Sequence, residues 1–435
     1  MATLLVLPNT LFKKKYIPND VVSVVIWEHP QYFTKYKYNK KRLILHRASM
    51  QYYYDLAKND YTDNVTYIEY NKKHTLPKNY IYFDPVDRIK LPPGGVKINS
   101  PNFLLGIELI QEYRKKTKSF FFNGFYMWSK LKLNIIPSIK SQDSKNRKTV
   151  PKGLPIPQLP SLGTIDKTYI NNAESYVERN FPNNYGSVEG LNFPVTHATA
   201  TRWLSQFITK KLKKFGDYQD YTLKDENYMF HSCLSSSINM GLLNPSDIIL
   251  ELSKIKETIP LNSYEGLIRQ YFWREYQRYC YVYLNEWHGE NYFGSKGKLS
   301  KKWYDGTTGI DPVDDSIKEA FNTGYLHHIR RLMIVANYMN LNGINHEQGR
   351  RWFTEFALDS YDWVMYQNID MGFFASGGKT SRKPYISNSN YVIKMSNYRK
   401  GPWSDAWDKL YKKFIQKNKQ KLWKYRYHFP TLNKD

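Results

Sequence analysis

The stretch NTGYLHHIRRLM, residues 322–333, sets His327, His328, Arg330 and Arg331 side by side in a helical pattern. Such a group can bind metal, move protons, contact nucleic acid or sit on a wet face. Spacing argues against metal. Neighbouring residues on a helix point about 100° apart, so the two imidazoles do not share one ion easily. A zinc pair needs histidines four apart, and Leu332 occupies that place relative to His328. Two readings stay open: one imidazole turned into a cavity as an acid/base group, or two histidines on a solvated surface.

Three other clusters carry chemistry. In FHSCLSSSINMGLLNPSDI (230–248), Ser232, Ser235, Ser236 and Ser237 surround a helix entry. Hydroxyls and free N–H groups there can hold a phosphate, or they can simply cap the helix. In GLIRQYFWREYQRY (266–279), Arg274 can pair with an anion while Trp273 packs; a core-facing stripe with an ordinary ion pair is the plainer account. ASGGKTSRKPY ends like a phosphate-binding loop, but that loop requires GxxxxGK[ST]. Counting back from Gly378, the required glycine falls on Phe373, and no strand precedes it, so a nucleoside-triphosphatase is rejected.

The elements that must position these groups fall into two kinds. Residues 1–135 alternate strand-like runs (TLLVLPN, VVSVVIWEHP, NVTYIEY, NYIYFDP, GGVKIN) with helical ones (KKRLILHRASMQYYYDLAK, NFLLGIELIQEYRKKT). That pattern predicts an α/β domain with a parallel, Rossmann-like sheet. Ligands in such sheets bind beyond the carboxyl ends of the strands, so LPNT (7–10) and WEHP (27–30) are candidates to line a pocket. Residues 136–165 are rich in Pro, Lys and Ser and predict a linker or long loop. Residues 166–435 carry apolar residues at three- and four-residue spacing, which predicts a large all-helical domain. There DDSIKEAFNTGYLHHIRRLMIVANYMNL scans as one helical pattern.

Composition narrows the class. The 435 residues are 41% hydrophobic, which suits a globular chain. No apolar run approaches the ~20 residues of a membrane span, so a soluble intracellular protein, without a membrane partner, is expected. Cys233 and Cys280 are the two cysteines, too few for a disulfide framework or a four-cysteine cluster. Lys and Arg number 64 against 39 Asp and Glu, a net charge of +25 that attracts polyanions. With 38 Tyr, 22 Phe and 11 Trp, those cations suit phosphates and unstacked bases. An AT-rich genome inflates the same residues.

The segments HSCLSSSINMGLLNP, WREY, TGIDPVDDSIKEAFNTGYLHHIRRLM and DSYDW follow the order and spacing of the photolyase/cryptochrome superfamily. LILHRASMQYY, DSKNR, FPNNYGSVEGLNFPVTHATA, FGDYQDY and KPYISNSNYVIKMSNY resemble its deoxyribodipyrimidine-photolyase-related group, the bacterial (6-4) photolyases. The resemblance implies an antenna-type α/β domain and a helical domain that holds FAD. It matches Ser232, Leu234, Ser235 and Arg274 to flavin contacts, and Arg331 and Asp359 to a pair beside the flavin ring. It matches His328 to the histidine facing a (6-4) lesion, with His327 in support, Trp352 to the tryptophan nearest the flavin, and Tyr391 to a lesion-side segment. The implied activity is light-driven repair of UV-damaged DNA by a monomer, with His328 as proton donor near its ordinary pKa of about 6.5. A cryptochrome-like photoreceptor and a cyclobutane-dimer photolyase are the alternatives. The basic surface and His328 favour repair, and only HFPTLNKD follows the last basic helix.

The chain also departs from the family pattern. Pro312, Arg399, Gly401 and Pro402 stand near the places of the bacterial group's cluster cysteines, so no iron–sulfur cluster and no metal is expected. PNTL (8–11) replaces the usual first strand end, which leaves a lumazine-type antenna chromophore uncertain, with Glu28 as its contact. Met365 falls where the family places a polar residue near flavin N5.

Overall fold

The computed structural model describes residues 1–284, 290–429 and Leu432; most of the terminal HFPTLNKD stretch lies outside them. Five strands, β1 (Ala2–Val6), β2 (Val21–Trp27), β3 (Val65–Ile68), β4 (Tyr80–Phe83) and β5 (Gly95–Ile98), form one sheet. Their order is β3-β2-β1-β4-β5 and every pairing is parallel. Buried Val, Ile and Leu in β1 and β2 reflect a sheet covered on both faces. Helix α1 (Lys40–Tyr61) carries the crossover from β2 to β3 and packs on α3 (Thr164–Asn180), with α2 (Ile107–Lys116) between them in sequence.

The later helices that bear on the site are α4 (His197–Lys210), α5 (Ser235–Met240), α6 (Leu261–Tyr283), α7 (Asp311–Thr323), α8 (His346–Phe356), α9 (Asp362–Phe373), α10 (Ser389–Lys394) and α11 (Pro402–Lys417). Among the described residues, no helix is long and apolar enough to cross a membrane. One hydrophobic core runs without a break from Leu4 and Val24 in the sheet to Trp352, Trp363 and Trp407 in the helices.

Two strand-end expectations need correction. The crevice where the strand order reverses, beyond β1 and β4, is closed by protein. Asn9 Nδ2 donates to Pro85 O at 3.1 Å, Leu11 N–H to Met240 O at 2.9 Å, and Trp363 N–H to Asp87 Oδ1 at 3.0 Å. Helix α5 docks there because Gly241 turns the chain at φ +90°; a Cβ would come within 2.7 Å of the Phe12 ring. Glu28 is no open ligand either. It is fully buried, and its carboxylate accepts from Arg47 Nη1 and Tyr67 OH (both 2.7 Å), Tyr176 OH (3.0 Å) and Tyr70 N–H (3.2 Å). Those four donors occupy the carboxylate's acceptor sites, so Glu28 ties β2 to α1 and α3.

The single helix scanned across 314–341 is also interrupted. Gly324 (φ +70°) ends α7 in a left-handed cap, and residues 325–327 are non-helical. The chain re-enters a helix at His328 and widens into a π-turn over Arg330–Ala336. A π-turn carries an extra residue per turn, so side chains there leave the 3.6-residue register that sequence periodicity assumes.

Candidate functional site

That interruption separates the two histidines. His327 stacks on His231, ring centroids 3.6 Å apart and 5° from parallel, and its Nδ1 accepts from Ile329 N–H at 3.4 Å. His328 lines a small cavity with Arg331, Phe353, Met365 and Asn368. The two arginines part in the same way. Arg330 turns inward to an ion pair with Glu319. Arg331 faces the other side, where Nη2 meets Asp359 Oδ1 at 3.0 Å and Nε donates to Leu326 O at 2.6 Å.

Asp359 is the hub of a hydrogen-bonded chain. Ser235 Oγ donates to its Oδ2 and Asn239 Nδ2 to its backbone oxygen, both at 2.8 Å. Asn239 Oδ1 in turn accepts from Arg274 Nε at 2.9 Å. Thus Ser235, Arg274, Arg331 and Asp359, spread over 125 residues of sequence, form one unit across α5, α6, the π-turn and the segment before α9. Asn239 joins them and was not foreseen; its lone signal is its place in the serine-rich block. Asn368 was missed as well. It lies three residues past Met365 on the cavity wall, and its Nδ2 donates to Val364 O at 2.8 Å.

The other expected residues sit around this unit. Trp352 is fully buried, donates Nε1–H to Trp303 O at 2.6 Å, and packs on Phe353 at 4.9 Å, so one ring separates it from the cavity. Tyr391, with Tyr385 and Trp273, covers the apolar group of Ile329, Leu332, Met333 and Met371. Leu234 is core. Ser232 is not part of the chain; it lines a separate cleft with Trp203 and Lys211.

Desolvation shifts several protonation states. It lowers His328 to about 4, helped by the Arg331 charge, although the His328 side chain still reaches solvent. It takes His327 well below its ordinary value, with His231, His328 and Arg331 adding to the effect. His328 is therefore neutral at pH 7, which corrects the expectation of an ordinary pKa. Burial also pushes Arg274 down to about 10 and Tyr391 up to about 12.

Two family models together match most of the chain. Residues 4–83 and 90–193 match the model of deoxyribodipyrimidine photo-lyase-related proteins, and residues 267–423 match the FAD binding domain of DNA photolyase. The chain belongs to the photolyase/cryptochrome superfamily. It is 36% identical over 297 residues to a (6-4) photolyase of Agrobacterium fabrum, covering 64% of this chain and 58% of that enzyme. The chain thus spans less than two thirds of that relative. An uncharacterized protein of Acanthamoeba polyphaga mimivirus is 54% identical over 92 residues, 21% of this chain and 75% of that one. Among solved structures, a bacterial class III photolyase from Agrobacterium tumefaciens shares the fold at TM-score 0.58 and 14% identity, over 96% of this chain and 86% of that one. A Synechocystis cryptochrome does so at TM-score 0.54 and 15% identity, over 97% and 88%.

The photolyase-type donor set suits a flavin nucleotide chemically. Arg274 Nη2 and the hydroxyls of Ser236 and Ser237 are buried without a partner among the described residues. Buried polar atoms of that kind call for an acceptor-rich group such as a pyrophosphate. Phe353, Leu332, Ile369 and Met365 give the cavity an apolar wall that suits an aromatic ring system. Arg274, His328, Arg331, Trp352, Asp359 and Tyr391 all fall inside the matched FAD-binding stretch, whereas Ser232, Leu234 and Ser235 fall between the two matched families.

Proposed function

We propose that this protein is a light-dependent DNA photolyase that reverts (6-4) pyrimidine–pyrimidone photoproducts. The observation that carries the proposal is the separation of the histidine pair. His327 is locked in a stack, and His328 lines the cavity beside Arg331, next to the Ser235–Asp359–Arg274 chain.

Ser235, Arg274, Arg331 and Asp359 would hold FAD, with Asn239 fixing their mutual orientation. Reduced FAD, when bound, supplies an electron under blue light. The protein's part is to set protons and charges. His328 is neutral in the free site, so its imidazole carries one N–H for donation and one nitrogen for acceptance. Reverting a (6-4) adduct requires a proton delivered and a hydroxyl moved, and a neutral imidazole on the cavity wall can hand a proton over while taking another. Negative charge developing on a lesion beside it would raise its pKa toward the working range. Arg331, held by Asp359 and Leu326 O, would keep a fixed positive field over the same space. Phe353 and Trp352 offer a nearby indole as electron donor, and Tyr391 would flank the lesion. Extruding a lesion from a duplex needs a positive surface, which the net charge of +25 supplies.

A photoreceptor of cryptochrome type is favoured by one observation, the neutrality of His328, since signalling needs no proton donor. The test is repair of an oligonucleotide carrying one (6-4) T–T lesion under blue light with reductant, with His328→Ala as control. Light-dependent restoration that disappears in the variant supports the proposal. No restoration, with bound flavin still photoreducible, sinks it and turns attention to cyclobutane dimers and then to sensing.

A further inference from the structure

We propose that the outer face of α11 and the turn after it form a second DNA contact, in which lysines meet phosphates and Trp423 and Tyr427 stack on unpaired bases. The proposal rests on the reading that this protein handles DNA, and it adds a contact away from the lesion cavity.

Helix α11 buries Trp403, Trp407, Tyr411, Phe414 and Ile415 on one side. Lys409, Lys412, Lys413 and Lys417 recur at i, i+3, i+4 and i+8 on the opposite side, and all four are exposed. Among the described residues none of them is in an ion pair. Of the helix's two carboxylates, Asp408 is engaged elsewhere, accepting Ser389 N–H at 2.8 Å. Four lysines over about 12 Å of helix face the length taken by roughly three to four phosphates of one strand. Like charges packed this closely repel one another, and a polyanion removes that cost.

The chain then turns through Lys419, Lys421, Lys424 and Arg426. Trp423 is 48% and Tyr427 80% exposed, although large rings are normally covered. The Arg426 guanidinium lies 5.2 Å from the Trp423 ring centroid and 4.7 Å from that of Tyr427. Exposed ring faces interleaved with cations form a stacking platform for single-stranded nucleic acid. The surface is also joined to the cavity's neighbourhood. Trp407 Nε1–H donates to Ser387 O at 3.0 Å, four residues before Tyr391.

The experiment is fluorescence anisotropy of undamaged oligothymidylate in the dark, on the flavin-loaded full chain, across a range of salt. The variant K409Q/K412Q/K413Q/K417Q is expected to bind at least tenfold more weakly at 0.1 M salt. Its log–log salt slope should fall by about 3, at roughly 0.7 per phosphate contact on single strands. Trp423→Ala should weaken binding about tenfold and Trp423→Phe less than threefold. Melting temperatures within a few degrees of the parent exclude unfolding. Unchanged affinity and slope in the quadruple variant would overturn the proposal. So would loss of binding to phosphatidylserine vesicles with oligothymidylate binding intact, which would assign the face to lipid. Oligothymidylate binding that falls in the variants, in a parent protein that repairs nothing, would defeat the photolyase reading and leave this contact standing.

Discussion

The protonation state of His328 is the property most exposed to test. Desolvation by the cavity wall, with the Arg331 charge, lowers it to about 4 in the folded chain although the side chain still reaches solvent, whereas an unfolded histidine titrates near 6.5. The folded value is the lower one. Between pH 6.5 and 4 the unfolded chain takes up a proton that the folded chain refuses, so His328 destabilises the fold as pH falls through that window. At pH 7.5 both states are neutral and the effect vanishes. At pH 5.5 the unfolded imidazole is about nine-tenths protonated; full exclusion of the proton from the folded ring would cost about 1.4 kcal/mol, and solvent access to the exposed His328 side chain screens this to about 0.5 kcal/mol. The perturbation is His328→Asn, which removes the titrating group and keeps a polar side chain. Urea unfolding at pH 7.5 and pH 5.5 would be compared for parent and variant. Other groups titrate in the same range, including the buried His231 and Asp87, but they are common to both proteins and cancel in the difference. The variant should lose about 0.5 kcal/mol less than the parent on acidification, about twofold in the unfolding constant. Histidine NMR should show one imidazole still neutral at pH 5.5 that is absent from the variant. Equal pH dependence in the two proteins, or a His328 resonance titrating near 6.5, would refute a desolvated neutral imidazole and the proton-handling scheme built on it.

Other consequences follow from the same contacts. Arg331→Leu leaves the Asp359 carboxylate with Ser235 alone; it should cost about 2–3 kcal/mol in urea unfolding and weaken flavin retention on gel filtration, and a loss below about 0.5 kcal/mol would contradict the pairing. Glu28→Gln removes the charge that holds Arg47 and two tyrosine hydroxyls; a loss of about 3–5 kcal/mol is expected, with flavin content unchanged once folded. Trp352→Phe should slow photoreduction of bound flavin at least tenfold while leaving its absorbance spectrum in place; an unchanged rate would move the electron donor elsewhere.

Local chemistry was legible in the sequence where one segment suffices. The β-branched runs give the five parallel strands, the apolar spacing gives the helices, and the motif order of residues 230–248, 273–276 and 323–331 carries the family resemblance. Residue types and neighbours along the chain set these features, and both are written in the sequence. What His327 and His328 do differently was not legible. Two adjacent imidazoles have the same local surroundings, and their fates diverge because Gly324 ends α7 and the helix resumes only at His328, leaving His327 in the non-helical segment where His231, 96 residues away in sequence, stacks on it. Glu28 and the strand-end crevice were misjudged for a related reason. The rule that ligands bind beyond strand ends treats the sheet alone, whereas here α3, α5 and the start of α9 fill that space with donors and rings. Asn239 shows the same limit, since its two partners, Arg274 and Asp359, come from segments 35 and 120 residues away. Sequence determined which groups this protein has for proton and phosphate chemistry. Tertiary packing alone decided which of them lost water, because desolvation depends on what folds over a side chain and not on what precedes it in the chain.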